Sequence, residues 1–260
     1  MKINLEHKLA QHIRREITRA SADFGLIEKN DKILVCVSGG KDSSILLVLL
    51  NEIRKKAGFP FTIEAAILDQ KQPGFRIDEF KAFIDSLEIK FHVIEKDTFS
   101  IVTDKIKEGT YCSLCSRLRR AILYDFAYSN GFNKMALGHH RDDLIETTLL
   151  NLFYSGNIAS MPPRLVSDDK RNIVIRPLAY VPEKHLIELS EVWQFPIIPC
   201  NLCGSQEGMK RKRMKKLVSD LEMEIPNLGA TFMTALCNVK PSQLPQIKNA
   251  SQQTLDADLI

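Results

Sequence analysis

The ten residues Val-Cys-Val-Ser-Gly-Gly-Lys-Asp-Ser-Ser, at positions 35–44, constrain the fold of this chain most. They end an apolar strand, turn through Gly39 and Gly40, and open a helix at Ser43. Paired glycines let the backbone approach an anion closely, and a helix start presents unpaired N–H groups and the positive end of its dipole. The segment therefore predicts a strand–turn–helix unit that holds phosphate groups.

This turn is not a Walker A loop, which has a glycine five residues before its second glycine and Ser or Thr after its lysine. Val35 and Asp42 occupy those two positions here. The pattern Ser-Gly-Gly-Lys-Asp-Ser instead resembles the PP-loop of the ATP pyrophosphatases, which cleave ATP between the α and β phosphates. The resemblance implies that ATP is bound by Ser38, Gly39, Gly40, Lys41, Asp42 and Ser43. An ordinary glycine-rich βα turn is the alternative.

Apolar strands and amphipathic helices alternate along most of the chain. Strands are predicted at 32–37, 61–68, 90–94, 134–137 and 173–175, and helices at 43–55, 77–87, 115–128, 142–154 and 183–193. Another helical stretch lies near 230–237, and 1–30 reads as a helical leader. This order predicts an α/β fold: a Rossmann-like, doubly wound parallel sheet that binds ligands at the carboxyl ends of its strands.

Polar residues follow three of the predicted strands. Ser38 follows the first, Asp69 the second and Gly138 the fourth, where the sequence runs Leu-Gly-His-His-Arg-Asp-Asp at 137–143. Asp69 is a candidate nucleoside contact, and Gly138 and His139 are candidate nucleotide contacts, with His139 and His140 lining the site as polar groups. Asp142 and Asp143 have the chemistry of Mg²⁺ ligands, which usually act together with phosphate oxygens. Either carboxylate could instead cap the helix.

The six cysteines are better interpreted as metal or redox residues than as disulfides. No apolar run is long enough to span a bilayer, and the first residues lack the pattern of a signal peptide, so we expect a cytoplasmic protein without a membrane partner. In that reducing compartment, the pairs Cys112/Cys115 and Cys200/Cys203 are candidate ligands. They fit a four-cysteine zinc site or an iron–sulfur cluster. We expect Arg117, Arg119 and Arg120 to lower thiol pKa values and to offset a cluster's negative charge.

Six motifs together resemble the TtcA family of tRNA 2-thiocytidine synthetases, also called tRNA-cytidine 32 2-sulfurtransferases. Besides the PP-loop and the 137–143 motif, they are LDQKQPGF at 68–75, CSLCSRLRR at 112–120, IRPLAY at 175–180 and FPIIPCNLCGSQ at 195–206. The resemblance covers nearly all of residues 5–240.

The resemblance implies a [4Fe–4S] cluster held by Cys112, Cys115 and Cys203, with Cys200 as a nearby free thiol. It also implies Mg²⁺ and ATP, a tRNA substrate, a homodimer, and a sulfur donor from a cysteine desulfurase pathway. We expect catalysis to depend on Lys41, Asp42, Asp142 and Cys203. The expected organisation is a leader (1–30), a PP-loop domain (31–195), a cluster-completing and tRNA-binding helical region (196–240) and a polar tail (241–260).

Two other functions remain open from the residues alone. One is a PP-loop tRNA ligase without a cluster, such as a lysidine-type enzyme, although the cysteine pairs argue against it. The other is a zinc-stabilised tRNA-binding protein in which the four paired cysteines only brace the fold. The net charge of +4 does not decide between them, because the basic residues are concentrated at 117–120 and 210–216. The second cluster is either a solvated helix face or a contact for RNA phosphates.

Overall fold

The structure is a computed structural model that describes residues 3–71, 77–105, 111–198 and 206–245. The side chains of 102–105, 111–113 and 206–208 are not among those described. The residues that lie outside the described part are Cys200, Cys203, the second half of the 68–75 motif and most of the polar tail. The side chain of Cys112 lies outside it as well.

Nine α-helices and six strands form the described part of the chain. The helices are α1 (Lys8–Phe24), α2 (Lys41–Lys56), α3 (Asp78–Asp85), α4 (Thr98–Lys105), α5 (Tyr111–Ser129), α6 (Arg141–Leu150), α7 (Glu183–Trp193), α8 (Gln206–Glu224) and α9 (Leu228–Cys237). The strands are β1 (Lys32–Cys36), β2 (Thr62–Asp69), β3 (Phe91–Glu95), β4 (Lys134–Leu137), β5 (Arg164–Val166) and β6 (Ile173–Ile175). A π-helical turn, Asn151–Ser155, follows α6, and a short 3₁₀ turn, Pro241–Gln243, follows α9.

The strands form one sheet in the order β3-β2-β1-β4-β6-β5, in which only β5 is antiparallel to its neighbour. The chain first builds outward from β1 through β2 to β3, and then returns to place β4 on the other side of β1. The order therefore reverses between β1 and β4. In open α/β sheets, ligands bind outside the carboxyl ends of the strands at such a reversal. Ser38 and Gly138 follow these two strands.

Helices cover both faces of the sheet, and side-chain alternation along β1 shows how. Ile33, Val35 and Val37 point into the main core, which also contains apolar residues of α1, α2, α3 and α7. Leu34 and Cys36 point to the opposite face, where α5 packs. Beyond the sheet, α8 and α9 pack on α6. The helical leader is thus integrated into the main core through α1.

The predicted α/β fold with a doubly wound, mostly parallel sheet is confirmed. Two elements were not predicted: β5, whose three residues are all exposed and show no alternation, and the short α4. The predicted helix 142–154 is wrong at its end, since the α-helix stops at Leu150 and a π-helical turn takes over. Within the described residues, no helix is long and apolar enough to cross a membrane.

Candidate functional site

The PP-loop needs glycine at position 39 for two independent reasons. Gly39 has φ +78°, in the left-handed region that L side chains rarely adopt. A Cβ added there would lie 2.6 Å from Cβ of Ile198, which packs on the loop and donates its N–H to the Gly39 carbonyl at 3.0 Å. The chain entering the second cysteine pair is therefore fixed against the phosphate loop.

Hydroxyl groups brace the loop from within. The Ser43 hydroxyl accepts the Ser38 N–H at 3.1 Å, lies 3.2 Å from the Ser38 hydroxyl, and donates to the Gly40 carbonyl at 3.1 Å. The helix α2 then begins with Gly40 as its N-cap, and no described side chain caps it. Its first N–H groups are left to bind an anion. These features suit the phosphates of ATP.

The end of β4 lies directly against the start of α2. A Cβ on Gly138 would lie 2.9 Å from the Ser43 nitrogen and 3.0 Å from its Cα. The first distance is shorter than real Cβ atoms essentially ever show and the second is tighter than nine in ten real contacts, so a side chain would force the two backbones apart. The PP-loop and the 137–143 motif therefore share one edge of the sheet, as the sequence predicted.

Asp142 and Asp143 both lie in the first turn of α6, and each has a structural partner. Asp143 Oδ2 accepts the His140 N–H at 3.1 Å and so caps its own helix. Asp142 Oδ2 accepts the Glu183 N–H at 2.7 Å and so ties α6 to the start of α7. Arg141 lies 3.3 Å from Asp142 Oδ1 and Arg211 lies 3.5 Å from Asp143 Oδ1. Carboxylates already balanced by arginine can exchange those partners for Mg²⁺ and phosphate.

A chain of ion pairs runs from the PP-loop to α8 through Glu183. Lys41 Nζ lies 3.2 Å from Asp42 Oδ1 and 3.7 Å from Glu183 Oε1, and Lys215 donates to Glu183 Oε2 at 2.5 Å. Burial acts to raise the pKa of Glu183, but the hydrogen bond and charge of Lys215 outweigh it and hold that pKa below its usual value. Glu183 is therefore an anion that links the loop lysine to the basic helix.

Two further titratable groups are buried beside this network. Burial lowers the pKa of His139 to about 4, so its ring is neutral at physiological pH, as expected for a polar lining group. Burial raises the pKa of Glu146 to about 7, although Arg211 opposes the shift. Glu146 lies one turn beyond Asp143 on α6, and its Oε2 is 3.8 Å from Arg211 Nε.

The first cysteine pair lies near the same edge. Cys115 is on α5, and its thiol donates to the Gln70 side-chain oxygen at 3.0 Å, directly after β2. Cys112 precedes Cys115 by three residues in the same helix. The Cys115 thiol beside the end of β2 has the chemistry of a cluster ligand. Within the described residues no three His, Cys, Asp or Glu side chains form a metal-binding group, and the predicted third ligand, Cys203, lies outside them.

The remaining predicted residues have defined surroundings. Asp69 accepts the Lys71 N–H at 2.7 Å and pairs with the Lys71 ammonium at 3.1 Å, so it orders the turn after β2. Cys36 is buried under α5, and burial raises the pKa of its thiol to about 12 against a smaller opposite effect of Arg119. That thiol is unsuited to ligation.

Comparison with known proteins agrees with this geometry. Residues 7–195 match the model of the PP-loop domain family. Three curated proteins named tRNA-cytidine(32) 2-sulfurtransferase are similar over most of the chain. The protein of Bdellovibrio bacteriovorus is 62% identical and covers 93% of both chains. The protein of Shewanella loihica is 52% identical, and the match covers 91% of this chain and 75% of the relative. The protein of Coxiella burnetii is 49% identical, and the match covers 92% of this chain and 93% of the relative. The chain belongs to the tRNA-cytidine(32) 2-sulfurtransferase family.

A solved structure of lower sequence similarity supports the fold. The U34-tRNA thiolase NcsA from Methanococcus maripaludis, determined with its [4Fe–4S] cluster, matches with a TM-score of 0.70 at 21% identity. The match covers 89% of this chain and 80% of that one. Membership of the sulfurtransferase family makes this protein an enzyme of the ATP-using PP-loop class.

Several site residues of this sulfurtransferase were missed by sequence reasoning. Glu183, Arg211 and Lys215 come from distant segments and meet only in the folded chain. Arg211 and Lys215 lie in the basic cluster at 210–216, which predicted a solvated face or an RNA contact but not these ion pairs. The signal for Glu183 was Pro182-Glu183, which is also an ordinary helix start. Ile198 and Gln70 lie within the quoted motifs, but the sequence does not show what they touch.

Replacing Gly138 with alanine should impair ATP binding. The new Cβ forces the backbones of β4 and α2 apart, which costs about 1–3 kcal/mol of free energy. This displacement distorts the loop that holds the phosphates. We expect the Kd for ATP, measured by calorimetry, to rise about tenfold. Gly58→Ala is the matched control, because a Cβ at Gly58 meets nothing within 4 Å. Equal ATP affinity in the two variants would contradict the tight contact.

The raised pKa of Glu146 predicts a pH-dependent loss of stability. Glu146 binds its proton more tightly in the folded chain than an ordinary glutamate, whose pKa is 4.5, so stability falls as the pH rises from about 4.5 to about 7. Glu146→Gln stays neutral and should remove this fall. The measurement is the free energy of unfolding in urea at pH 5 and pH 8.

The control for this experiment is Glu188→Gln, which changes an exposed residue of α7 and should keep the wild-type pH dependence. Other titrating groups such as His139 contribute equally to all three proteins, so they cancel in the comparison. The same pH dependence in wild type and Glu146→Gln would refute the assignment.

Proposed function

We propose that this protein replaces the C2 oxygen of cytidine 32 in a tRNA with sulfur, in an ATP-dependent reaction. The observation that carries the proposal is the meeting of three features at one sheet edge: the PP-loop, the acidic start of α6, and Cys115 beside the end of β2. The relatives described above, named for this reaction, match along nearly the whole chain.

The first step is activation of a poor leaving group. The C2 oxygen of the cytosine attacks the α-phosphorus of ATP, the bond to the β-phosphate oxygen breaks, and pyrophosphate leaves. Ser38, Ser43 and the N–H groups at the start of α2 hold the phosphates, and Lys41 offsets the charge that develops on them. Asp142 and Asp143 are the proposed Mg²⁺ ligands, which would exchange their arginine partners for the metal.

The second step is substitution at C2. Sulfur at the oxidation level of sulfide adds to C2, and the bond between C2 and oxygen breaks, so AMP leaves with the oxygen and no electron is transferred. Cys112, Cys115 and Cys203 are the proposed ligands of a [4Fe–4S] cluster, which supplies an iron site for the incoming sulfur. A neighbour of the same fold carries such a cluster, which supports its compatibility with this architecture.

The proposal includes three features that come from the sequence alone. Two of them are implied by the motifs of the family, namely that the protein works as a homodimer and that its sulfur comes from a cysteine desulfurase pathway; the third, that it acts in the cytoplasm, rests on the sequence pattern of its apolar runs and first residues. Neutral His139, Gly138 and Asp69 complete the nucleotide site at the carboxyl ends of β4 and β2.

The test is anaerobic reconstitution with iron and sulfide, followed by incubation with unmodified tRNA and MgATP. We expect 2-thiocytidine by mass spectrometry, with one AMP and one pyrophosphate released per thiolated tRNA. Cys203→Ser should lose thiolation and keep ATP binding. Cys237→Ser, which changes an exposed cysteine at the end of α9, should keep both.

Three results would contradict the proposal. Thiolation by Cys203→Ser would remove this residue from the cluster ligands. AMP formation that does not depend on tRNA, with no thiolated product, would favour another PP-loop activity, and one zinc per chain without sulfide would favour a structural four-cysteine site.

A further inference from the structure

The turn that follows α6 exposes three large apolar side chains in succession. The α-helix stops at Leu150, and Asn151–Ser155 form a π-helical turn that ends at Gly156 with φ +66°. Leu152, Phe153 and Tyr154 have 45%, 56% and 45% of their surface exposed. Isolated π-helical turns are rare and often mark functional sites. This turn therefore presents aromatic rings to solvent at the end of a helix that begins in the nucleotide site.

A cation lies over one of these rings. Lys210 Nζ lies 4.8 Å from the centre of the Tyr154 ring, a cation–π distance. Arg213 is exposed and lies three residues further along the same helix, so it shares the face of Lys210, whereas the exposed Lys212 lies about 200° around the helix from Lys210. Among the side chains that the structure describes, no carboxylate lies within ion-pair distance of Lys210, Lys212 or Arg213. Aromatic rings beside cations that lack an acidic partner form the kind of surface that binds single-stranded nucleic acid.

Arg211 and Lys215 of α8 instead face the acidic side chains of α6 and α7. Arg211 turns toward Asp143 and Glu146, and Lys215 donates to Glu183. Since Lys210 and Arg211 are adjacent, a single turn of α8 contacts both the exposed aromatic turn and the acidic start of α6. The ten residues of α6 rise about 15 Å between these two places, which is roughly the length of four or five stacked nucleotides at about 3.4 Å each.

We propose that Phe153 and Tyr154 stack on unpaired bases of the RNA substrate while Lys210 and Arg213 contact its phosphates. Together these four side chains form a stacking platform. This inference rests on the proposed function, since it assigns part of the RNA to a surface outside the nucleotide site. The platform binds RNA with little preference for base identity, because every base offers a ring face. Its role is to hold the loop strand so that the reacting cytidine reaches the sheet edge.

The test measures binding of an RNA hairpin that carries cytidine 32 in its single-stranded loop, with reconstituted protein and by fluorescence anisotropy. Phe153→Ala and Tyr154→Ala should each weaken binding about 5- to 150-fold, the range for loss of one stacked base. Tyr154→Phe keeps the ring and should stay within about twofold of wild type. Binding of a fully paired RNA duplex of equal length should be unchanged in every variant.

Tyr128→Ala is the matched control. Tyr128 is 56% exposed and lies under the Arg171 guanidinium at 5.3 Å from its ring centre, but it is at the end of α5, on the amino side of the sheet. The Tyr128→Ala variant should bind the hairpin with the affinity of the wild-type protein. Replacing Lys210 and Arg213 together with alanine should lower the slope of log K against log salt by about one to two.

Three outcomes would overturn the platform. Hairpin affinity that is unchanged in Phe153→Ala and Tyr154→Ala, with wild-type binding intact, refutes the platform alone. Equal losses for hairpin and duplex would show that stacking is not involved. A shift from dimer to monomer in light scattering would assign the aromatic turn to contact with a second copy of the chain. Failure of wild-type protein to bind the hairpin at all would instead refute the proposed function.

Discussion

The contact between Gly138 and the backbone of Ser43 is the constraint on which the rest of the site depends. It brings the end of β4 against the start of α2 with no room for a side chain. The PP-loop and the first turn of α6 therefore become one rigid unit. At the other end of β4, Lys134 is buried and pairs with Asp31 at 2.8 Å, just before β1. The two contacts fix β4 beside β1 at both ends, which sets the geometry of the edge where the proposed chemistry takes place.

The charges around this edge are balanced by a helix that is remote in sequence. Asp142, Asp143, Glu146 and Glu183 place four carboxyl groups near a loop that should bind a polyanion. Arg211 and Lys215 from α8 offset them, and burial keeps Glu146 easier to protonate than an exposed glutamate. Because α8 also carries outward-facing cations, one helix connects the nucleotide edge with the proposed RNA surface. RNA that binds to α8 would therefore change the surroundings of Glu183 and, through the ion pair between Glu183 and Lys41, those of Lys41.

Much of this arrangement follows from sequence because it depends on local patterns. The PP-loop is predicted by an apolar strand, two glycines and the helix that follows them. The alternation of strands and helices along the chain predicts the sheet and the edge at which Ser38 and Gly138 meet. The roles of Glu183, Arg211 and Ile198 could not be predicted, since each depends on contacts between segments far apart in the chain. The end of α6 was missed for a related reason: the apolar residues of 151–155 continue a helical pattern, but their side chains are exposed.

The central claim is that the C2 oxygen of the cytidine leaves as part of AMP. The most direct test is a tRNA that carries oxygen-18 at C2 of cytidine 32, incubated with reconstituted protein, sulfide and unlabelled MgATP. The account predicts one oxygen-18 atom in AMP for each 2-thiocytidine formed, and none in pyrophosphate. Label in water or in pyrophosphate, with unlabelled AMP, would contradict adenylation of the cytidine and the role proposed for the PP-loop edge.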